Sequence, residues 1–250
     1  MRREWSALIF AMSFPTATAW FYFVALASPQ GVDLSQSPKS LGNAWVQAAY
    51  GVGKVIQFAF PVLFLILVEP SSLRPGKPHF KGLIWGIAFG LFAGAGAFVL
   101  YWAGLRAWLI EIGTMDRIQN KITEFNCATP IRYALLACFL AVIHSLMEEY
   151  YWRWFVFGRL RRLIALNVAV IVSCLAFMAH HVIVLGMFFP NHFWTAAVPF
   201  SLCIAVGGAF WAWLYHRTGS IYSPWVSHLL VDLAVLAIGY DLVFGWKARG

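Results

Sequence analysis

The chain has 250 residues, of which 61% are hydrophobic and only 11% are charged, and its mean hydropathy is +0.72. A soluble domain carries about 25% charged residues, and several apolar runs here reach about 20 residues, the length that crosses a bilayer, so a soluble globular protein is excluded. The net charge of +8 is spread over the connections between apolar runs, which argues against a nucleic-acid-binding surface.

Seven apolar segments predict an all-α, polytopic transmembrane helical bundle, a single integral membrane domain over residues 1–250. The first segment starts with basic residues as a signal peptide does, but its apolar run is too long for one, so we expect a retained span. Lys54 and Gln57 within the second segment indicate a helix that is tilted or turns one face toward the bundle interior. The predicted spans are 6–27, 44–68, 81–103, 131–157, 165–189, 194–215 and 221–245.

The third span and the segment after it carry two further patterns. Gly86, Gly90, Gly94 and Gly96 have the spacing of small residues that allows close contact between helices. The following stretch, LRAWLIEIGTMDRIQNKITEFNCATP, mixes apolar and charged positions up to Pro130. It predicts an interfacial amphipathic helix followed by a loop.

Lys and Arg in the short connections predict the orientation in the membrane. Most of them fall on one side if the N-terminus is cytoplasmic, whereas Lys39, the mixed-charge segment 104–130 and the uncharged PNHF turn fall on the other. Lys247 and Arg249 at the C-terminus break the pattern slightly. The short loops favour a bacterial inner membrane. The cationic residues on the predicted cytoplasmic side are Arg2, Arg3, Arg74, Lys77, Lys81, Arg159, Arg161, Arg162 and Arg217.

The stretch HSLMEEYYWRW, residues 144–154, places charged side chains inside the fourth span. Each charge at a helix centre costs about 2.5–3.5 kcal/mol on insertion scales, so these side chains need partners inside the bundle. Glu149 and Arg153 are four residues apart with the acid first, which is the favourable order for a helical ion pair. Glu148 points about 100° away and lacks such a partner in its own helix. This predicts a structural Glu149 and a Glu148 that is available for chemistry.

Two later spans contain pairs with the same spacing. Phe177 and His181, in CLAFMAHHVIVLG, share a helix face, and His180 beside them is interpreted as a neighbour that fills space. His228 and Asp232 form the second pair, in SPWVSHLLVDLAVL. At 1.5 Å per residue, Glu148 and His228 lie about 10–14 Å from the cytoplasmic surface. His181 comes out deeper unless its helix enters the membrane after about residue 168, which the arginines at 159–162 permit, so the three helices can present a carboxylate and two imidazoles at similar depth. A lone intramembrane histidine is commonly structural, but the ordered set of three pairs predicts a catalytic site.

The ordered stretches EEYYWR, FMAHH and HLLVD resemble the three motifs of the CPBP family, the CaaX-protease and bacteriocin-processing intramembrane proteases. The resemblance covers about residues 131–240, where we expect the catalytic helices, and the first 130 residues carry no signal of it. It implies a glutamate-dependent intramembrane endopeptidase, with no cofactor and no metal, whose site lies in a helical cone open to one membrane face. It allows prenylated CaaX proteins, bacteriocin or pheromone precursors, and C-terminal sorting segments as substrates, with the lipid bilayer but no nucleic acid as a partner.

Carried onto this chain, the resemblance implies a role for each residue of the first two motifs. Glu148 is the general base that activates water, and His181 holds the same water. Glu149 and Arg153 support these residues through their ion pair, and Phe177 is the aromatic residue of the second motif.

The third motif implies that His228 and the residue at 232 stabilise the oxyanion of the tetrahedral intermediate, a contribution of about 2.7–4 kcal/mol for one donor. This chain departs from the best-known members, which carry Asn where Asp232 stands. An ionised Asp232 repels an oxyanion. It donates a hydrogen bond only if its surroundings keep it protonated, and otherwise it orients His228 and favours the positive imidazolium.

Two other classes of protein remain open. Glu148, His181, His228 and Asp232 are possible zinc or iron ligands of a membrane metalloprotease, although no HExxH motif is present. Alternatively the same buried polar residues belong to a non-catalytic scaffold or to the proton or ion relay of a transporter. Against a transporter, the sequence shows no inverted repeat.

Overall fold

A computed structural model describes residues 2–25, 44–68 and 76–245. It confirms an all-α protein, with seven helical segments that are long and apolar enough to cross a membrane. Short π-helical segments adjoin several α-helices. The α-helices are α1 (Arg2–Trp20), α2 (Ala44–Leu67), α3 (Phe80–Leu100), α4 (Arg106–Glu111), α5 (Thr114–Glu124), α6 (Pro130–Cys138), α7 (Ser145–Glu149), α8 (Gly158–Leu163), α9 (Leu166–Phe188), α10 (Val198–Thr218) and α11 (Tyr222–Tyr240).

The third apolar segment, Phe80–Glu111, comprises α3 and α4 on the two sides of a kink. Its last turns include Arg106, whose Nε lies 2.8 Å from Oδ2 of Asp241. The same oxygen accepts a hydrogen bond from the hydroxyl of Tyr101 at 2.7 Å. The predicted end at residue 103 coincides with this kink, because Gly104, with φ of 161° and ψ of −25°, is not in a helical conformation.

The amphipathic helix predicted after the third span is α5. Gly113, with φ of 75°, separates it from α4, a left-handed conformation that glycine adopts without steric cost. Ile118 and Ile122 of α5 pack into a cluster with Tyr133 and Val243. The charged positions of α5 lie between these apolar ones in sequence, so the helix has the two faces that the sequence predicts.

The fourth span, Pro130–Leu163, is not one regular α-helix. Two π-helical segments, Phe139–His144 and Tyr150–Phe157, flank the single short α-helix α7. A π-helix closes its hydrogen bonds five residues apart instead of four, is rare, and occurs frequently at functional sites. Glu148 and Glu149 end α7, so both glutamates lie where the helix changes its winding.

The described residues divide into two compact units, of which the first comprises Met1–Lys77 and Glu148–Ile221. Within it α9 packs against both α1 and α10. The hydroxyl of Tyr151 donates a hydrogen bond to the carbonyl of Ala11 at 2.8 Å. Phe155 makes edge-to-face contacts with Phe60 and Phe64 of α2, each with ring centroids 5.8 Å apart. These contacts fix the segment after Glu148 against α1 and α2.

The second unit comprises Pro78–Met147 and Tyr222–Gly250, and α3 packs along α11 in it. A Cβ added at Gly90 would lie 2.8 Å from Leu230 Cβ and 2.9 Å from the carbonyl oxygen of Ser227. A Cβ added at Gly94 would lie 3.1 Å from the Cβ of Ala234, one turn further along α11. The predicted close contact is confirmed at these two glycines and is wrong for Gly96, which faces open space.

Part of the orientation prediction rests on residues outside the part of the chain that the structure describes, namely Lys39, Arg74, Lys247 and Arg249. The number of spans is confirmed, but the cytoplasmic position of the N-terminus and the bacterial membrane stay predictions.

Candidate active site

Glu149 and Arg153 form a fully buried ion pair in the first unit. Nε of Arg153 lies 3.1 Å from Oε2 of Glu149, and the two side chains are 3% and 0% exposed. This is the pairing that the i, i+4 spacing predicts. A buried charge without its partner is strongly unfavourable, so each member of the pair holds the other in place.

Two aromatic rings cover the Arg153 guanidinium. Its central carbon lies 4.6 Å from the ring centroid of Phe177 and 5.1 Å from that of Trp211. Such cation–π contacts stabilise a desolvated cation by about 2 kcal/mol. Gly208 makes room for this packing, because a Cβ there would lie 3.2 Å from the Phe177 ring and 3.7 Å from Nη2 of Arg153.

Phe177 has a second function through its backbone. Nδ1 of His181 lies 3.0 Å from the carbonyl oxygen of Phe177, which can only accept a hydrogen bond, so Nδ1 carries the proton. In the neutral imidazole Nε2 is then the acceptor nitrogen. One residue of α9 thus both covers Arg153 with its ring and fixes the tautomer of His181.

Glu148 and two histidines of α9 form a compact cluster. Oε1 of Glu148 lies 3.7 Å from Nε2 of His180, and one ligand atom each of Glu148, His180 and His181 lie within 4.8 Å of one another. Glu148 and His180 are buried, and His181 is half-buried. A carboxylate and two imidazoles within this distance can share one water molecule or one metal ion.

The interpretation of His180 as a neighbour that fills space is inadequate, because the structure places this residue at the glutamate. Its ring lies parallel to the indole of Trp152, with an interplanar angle of 5° and centroids 5.9 Å apart. Trp152 follows Glu148 by four residues, so both occupy one helix face, and a ring stacked on the indole also meets the carboxylate. Sequence reasoning gave the motif position to His181 and had no way to detect this tertiary stack.

Helix α2 carries a polar pair in the same unit. Nζ of Lys54 donates a hydrogen bond to Oε1 of Gln57 at 3.2 Å. Gln57 is fully buried and Lys54 is half-buried. The prediction that this face of the second span turns inward is therefore confirmed at Gln57.

The two remaining motif residues pair with each other in the second unit. Nε2 of His228 lies 3.5 Å from Oδ1 of Asp232 on α11. His228 is buried, whereas the Asp232 side chain is 28% exposed. Asp232 is thus positioned to orient His228, one of the two roles that its presence in place of Asn left open.

Comparison with known families identifies the segment that carries these residues. Residues 130–234 match the family model described as Rce1-like, type II CAAX prenyl endopeptidase. This match agrees with the resemblance of the three motifs to the CPBP family of CaaX proteases. The chain matches no curated protein and no solved structure.

The matched segment contains all the residues of the three motifs, from Glu148 to Asp232. The match of this segment and the seven apolar helices support a multi-pass membrane protease with membrane-embedded protein substrates. Lys54 and Gln57 of α2 lie outside the matched segment.

Proposed function

We propose that this protein is a glutamate-dependent intramembrane endopeptidase that cleaves membrane-associated or membrane-inserted peptides near one face of the membrane. The observation that supports it most is the cluster of Glu148 with His181, whose Nδ1–H is held by the carbonyl of Phe177. This arrangement presents one carboxylate oxygen and one imidazole acceptor nitrogen to a single water molecule. Two acceptors hold one water molecule in place while the carboxylate removes its proton, which is what general-base hydrolysis of a peptide bond requires.

In the proposed reaction a water molecule donates one hydrogen bond to Glu148 and the other to Nε2 of His181. Glu148 takes the first proton as the water oxygen bonds to the peptide carbonyl carbon, and the carbonyl electron pair moves onto its oxygen. When the tetrahedral intermediate collapses, the C–N bond breaks and Glu148 returns the proton to the leaving nitrogen. The products are a new amine and a new carboxylic acid, which loses its remaining proton to solvent, and the carboxylate of Glu148 is regenerated.

The family motif gives His228 and Asp232 the oxyanion side of the reaction. We propose that His228 donates a hydrogen bond to the developing oxyanion and that Asp232, through its 3.5 Å contact, favours the imidazolium form. This role suits an acid at position 232 better than direct contact with the oxyanion, because an ionised carboxylate repels it.

The test compares cells that carry wild type, Glu148→Gln or the control Glu111→Gln, which changes an exposed glutamate of α4. Membrane-protein C-termini and released peptides are measured by mass spectrometry at matched protein levels. Glu148→Gln keeps the shape of the side chain and removes the base, so processed species should disappear, at least 100-fold below wild type, consistent with loss of acid–base catalysis. Processing that continues in Glu148→Gln contradicts a glutamate base, and a deletion phenotype without any change in peptides indicates a scaffold.

A second candidate is a metal-dependent protease, since two histidines and a carboxylate within 4.8 Å are a known zinc site type. The hydrogen bond of His181 to a backbone carbonyl is the usual support of a metal-bound histidine. Nδ1 of His180, however, is buried and has no hydrogen-bond partner among the described residues, so only one of the two ligands has this support. Chelator added to the purified protein separates the candidates: the glutamate mechanism retains activity, and the zinc mechanism loses it until zinc is restored.

A further inference from the structure

The first unit contains a cavity lined by arginines, which none of the three motifs includes. It has a volume of about 60 Å³. A water molecule needs about 10–15 Å³ of such space, so the cavity accepts a group of about four to six heavy atoms, the size of a phosphate group. Guanidinium groups and a tyrosine form one part of the lining, and apolar side chains form the other. The residues that line it include Leu65, Phe155, Arg159, Arg161, Arg162 and Tyr215.

The cavity lies where several apolar segments end. Leu65, Arg162 and Tyr215 stand close to the last residues of the second, fourth and sixth segments. These segments are Gln47–Leu67, Pro130–Leu163 and Pro190–Thr218. Nη1 of Arg159 also lies 3.5 Å from Oε1 of Glu4, close to the start of the first segment at Arg2. A segment that crosses the hydrocarbon core ends in the headgroup region, so the cavity lies at the level of the lipid phosphates.

Aromatic rings hold two of the guanidinium groups in place. The central carbon of Arg159 lies 5.2 Å from the ring centroid of Phe155, and that of Arg161 lies 5.2 Å from the ring centroid of Tyr215. Nη1 of Arg161 lies 3.3 Å from Nδ1 of His216, a contact that uses one of the five N–H donors of a guanidinium. A planar guanidinium that is held in this way matches the geometry of two phosphate oxygens.

The charges around the cavity favour an anion. Among the residues that the structure describes in this unit, Glu4 is the one carboxylate apart from Glu148 and Glu149, so three guanidinium groups face a single carboxylate. Basic pockets between membrane-spanning helices are typical binding sites of anionic headgroups. Leu65 and Trp154, which also line the cavity, suit the apolar part of a lipid, which a free phosphate ion lacks.

We propose that this cavity binds the phosphate group of an anionic phospholipid, with Arg161 and Arg162 as its direct ligands. Arg159 provides a third positive charge, which Glu4 partly balances. A lipid bound there connects the ends of α2, α8 and α10. The site is independent of the proposed endopeptidase function, because none of its residues takes part in the proposed reaction.

The experiment titrates the purified full chain in neutral detergent micelles with phosphatidylglycerol or phosphatidylcholine and counts the bound lipid by native mass spectrometry. Wild type should bind one phosphatidylglycerol in preference to phosphatidylcholine. Arg161→Gln should weaken this binding about 10- to 100-fold, the contribution of a hydrogen bond to a charged group. Arg161→Lys keeps the charge without the planar fork and should retain part of the affinity. The control Arg217→Gln changes an exposed arginine outside the cavity lining and should stay within about fivefold of wild type.

The remaining measurements identify the ligand and check the fold. Thermal unfolding of lipid-free Arg161→Gln at the wild-type temperature shows that the variant is folded, and Arg162→Gln, at an exposed residue, replaces it if Arg161→Gln does not accumulate. Phosphatidylglycerol that stays bound in millimolar inorganic phosphate supports a lipid site. Displacement by phosphate, with equal affinity for the two lipids, shows a site for soluble phosphate and overturns the lipid as ligand. Equal weakening by Arg161→Gln and Arg217→Gln shows attraction by general surface charge and overturns the cavity as the site.

Discussion

Two ion pairs with the same N–O distance show how burial changes the contribution of a charged residue to stability. Arg153–Glu149 and Lys121–Glu124 both have a separation of 3.1 Å, but the first is buried and the second is about one-fifth exposed. A partly exposed pair contributes about 0–1 kcal/mol, because water solvates either charge when the other is removed. A buried pair behaves differently, since no solvent replaces the missing partner.

We therefore expect Arg153→Met to lower the free energy of unfolding by about 3–5 kcal/mol, because it leaves Glu149 as an unpaired buried carboxylate. Combining it with Glu149→Leu should recover most of this loss. Denaturation of the purified variants in mixed detergent micelles measures these differences, and Lys121→Met, expected within 1 kcal/mol of wild type, is the control. A loss below 1 kcal/mol for Arg153→Met contradicts the view that this pair holds the site.

The predictable residues of the site are those whose partners lie four positions away. The spacing of Glu149 and Arg153, and of His228 and Asp232, predicts both pairs correctly from sequence. His180 could not be predicted, because it reaches the glutamate through a stack on an indole of another helix. The roles of all these residues in catalysis remain proposals.

At the scale of elements, the winding of the fourth span was beyond sequence reasoning. Hydropathy predicts a continuous apolar helix, but it does not distinguish an α-helix, whose hydrogen bonds join residues four apart, from a π-helix, whose bonds join residues five apart. The π-helical segments around α7 change the direction of the side chains that follow them, although Glu149 still meets Arg153. The glycines of α3, in contrast, predicted close helix contact because small size alone decides it.

We expect Gly90→Ala to destabilise the protein by about 1–3 kcal/mol, since the new methyl group would lie 2.8 Å from Leu230 Cβ and 2.9 Å from a carbonyl oxygen of α11. Gly96→Ala, on the same helix, meets no atom within 4 Å and should stabilise it by up to about 1 kcal/mol through helix propensity. Unfolding of both variants in detergent provides the comparison. Equal effects at the two positions contradict the close packing of α3 on α11.

At the scale of the whole molecule, composition was sufficient to predict seven spans but not their exact ends. The fourth span continues to Leu163, beyond the predicted end at residue 157. The pairing of Arg106 with Asp241, 135 positions along the chain, also leaves no local signal in the sequence. The two units into which the described residues divide were not predicted, because contacts between distant segments leave no periodic signal.

The orientation is testable by reporter fusions. If the N-terminus is cytoplasmic, green fluorescent protein fused after Gly219 should fluoresce, and alkaline phosphatase fused after Pro190 should be active, because the two positions lie at opposite ends of the sixth apolar segment, Pro190–Thr218. The reverse reporter at each position should give little signal. Active phosphatase after Gly219 contradicts the predicted orientation.

The position of α2 outside residues 130–234 has a consequence for how such proteins diversify. If the proposed chemistry is encoded in one stretch of the chain and part of the surrounding packing in another, mutation of α2 alone changes which peptides fit and leaves the reacting groups in place. A library randomised at positions 50, 54 and 57 then explores recognition at constant catalytic power. Chains that keep every motif residue but differ in α2 should act on different peptides.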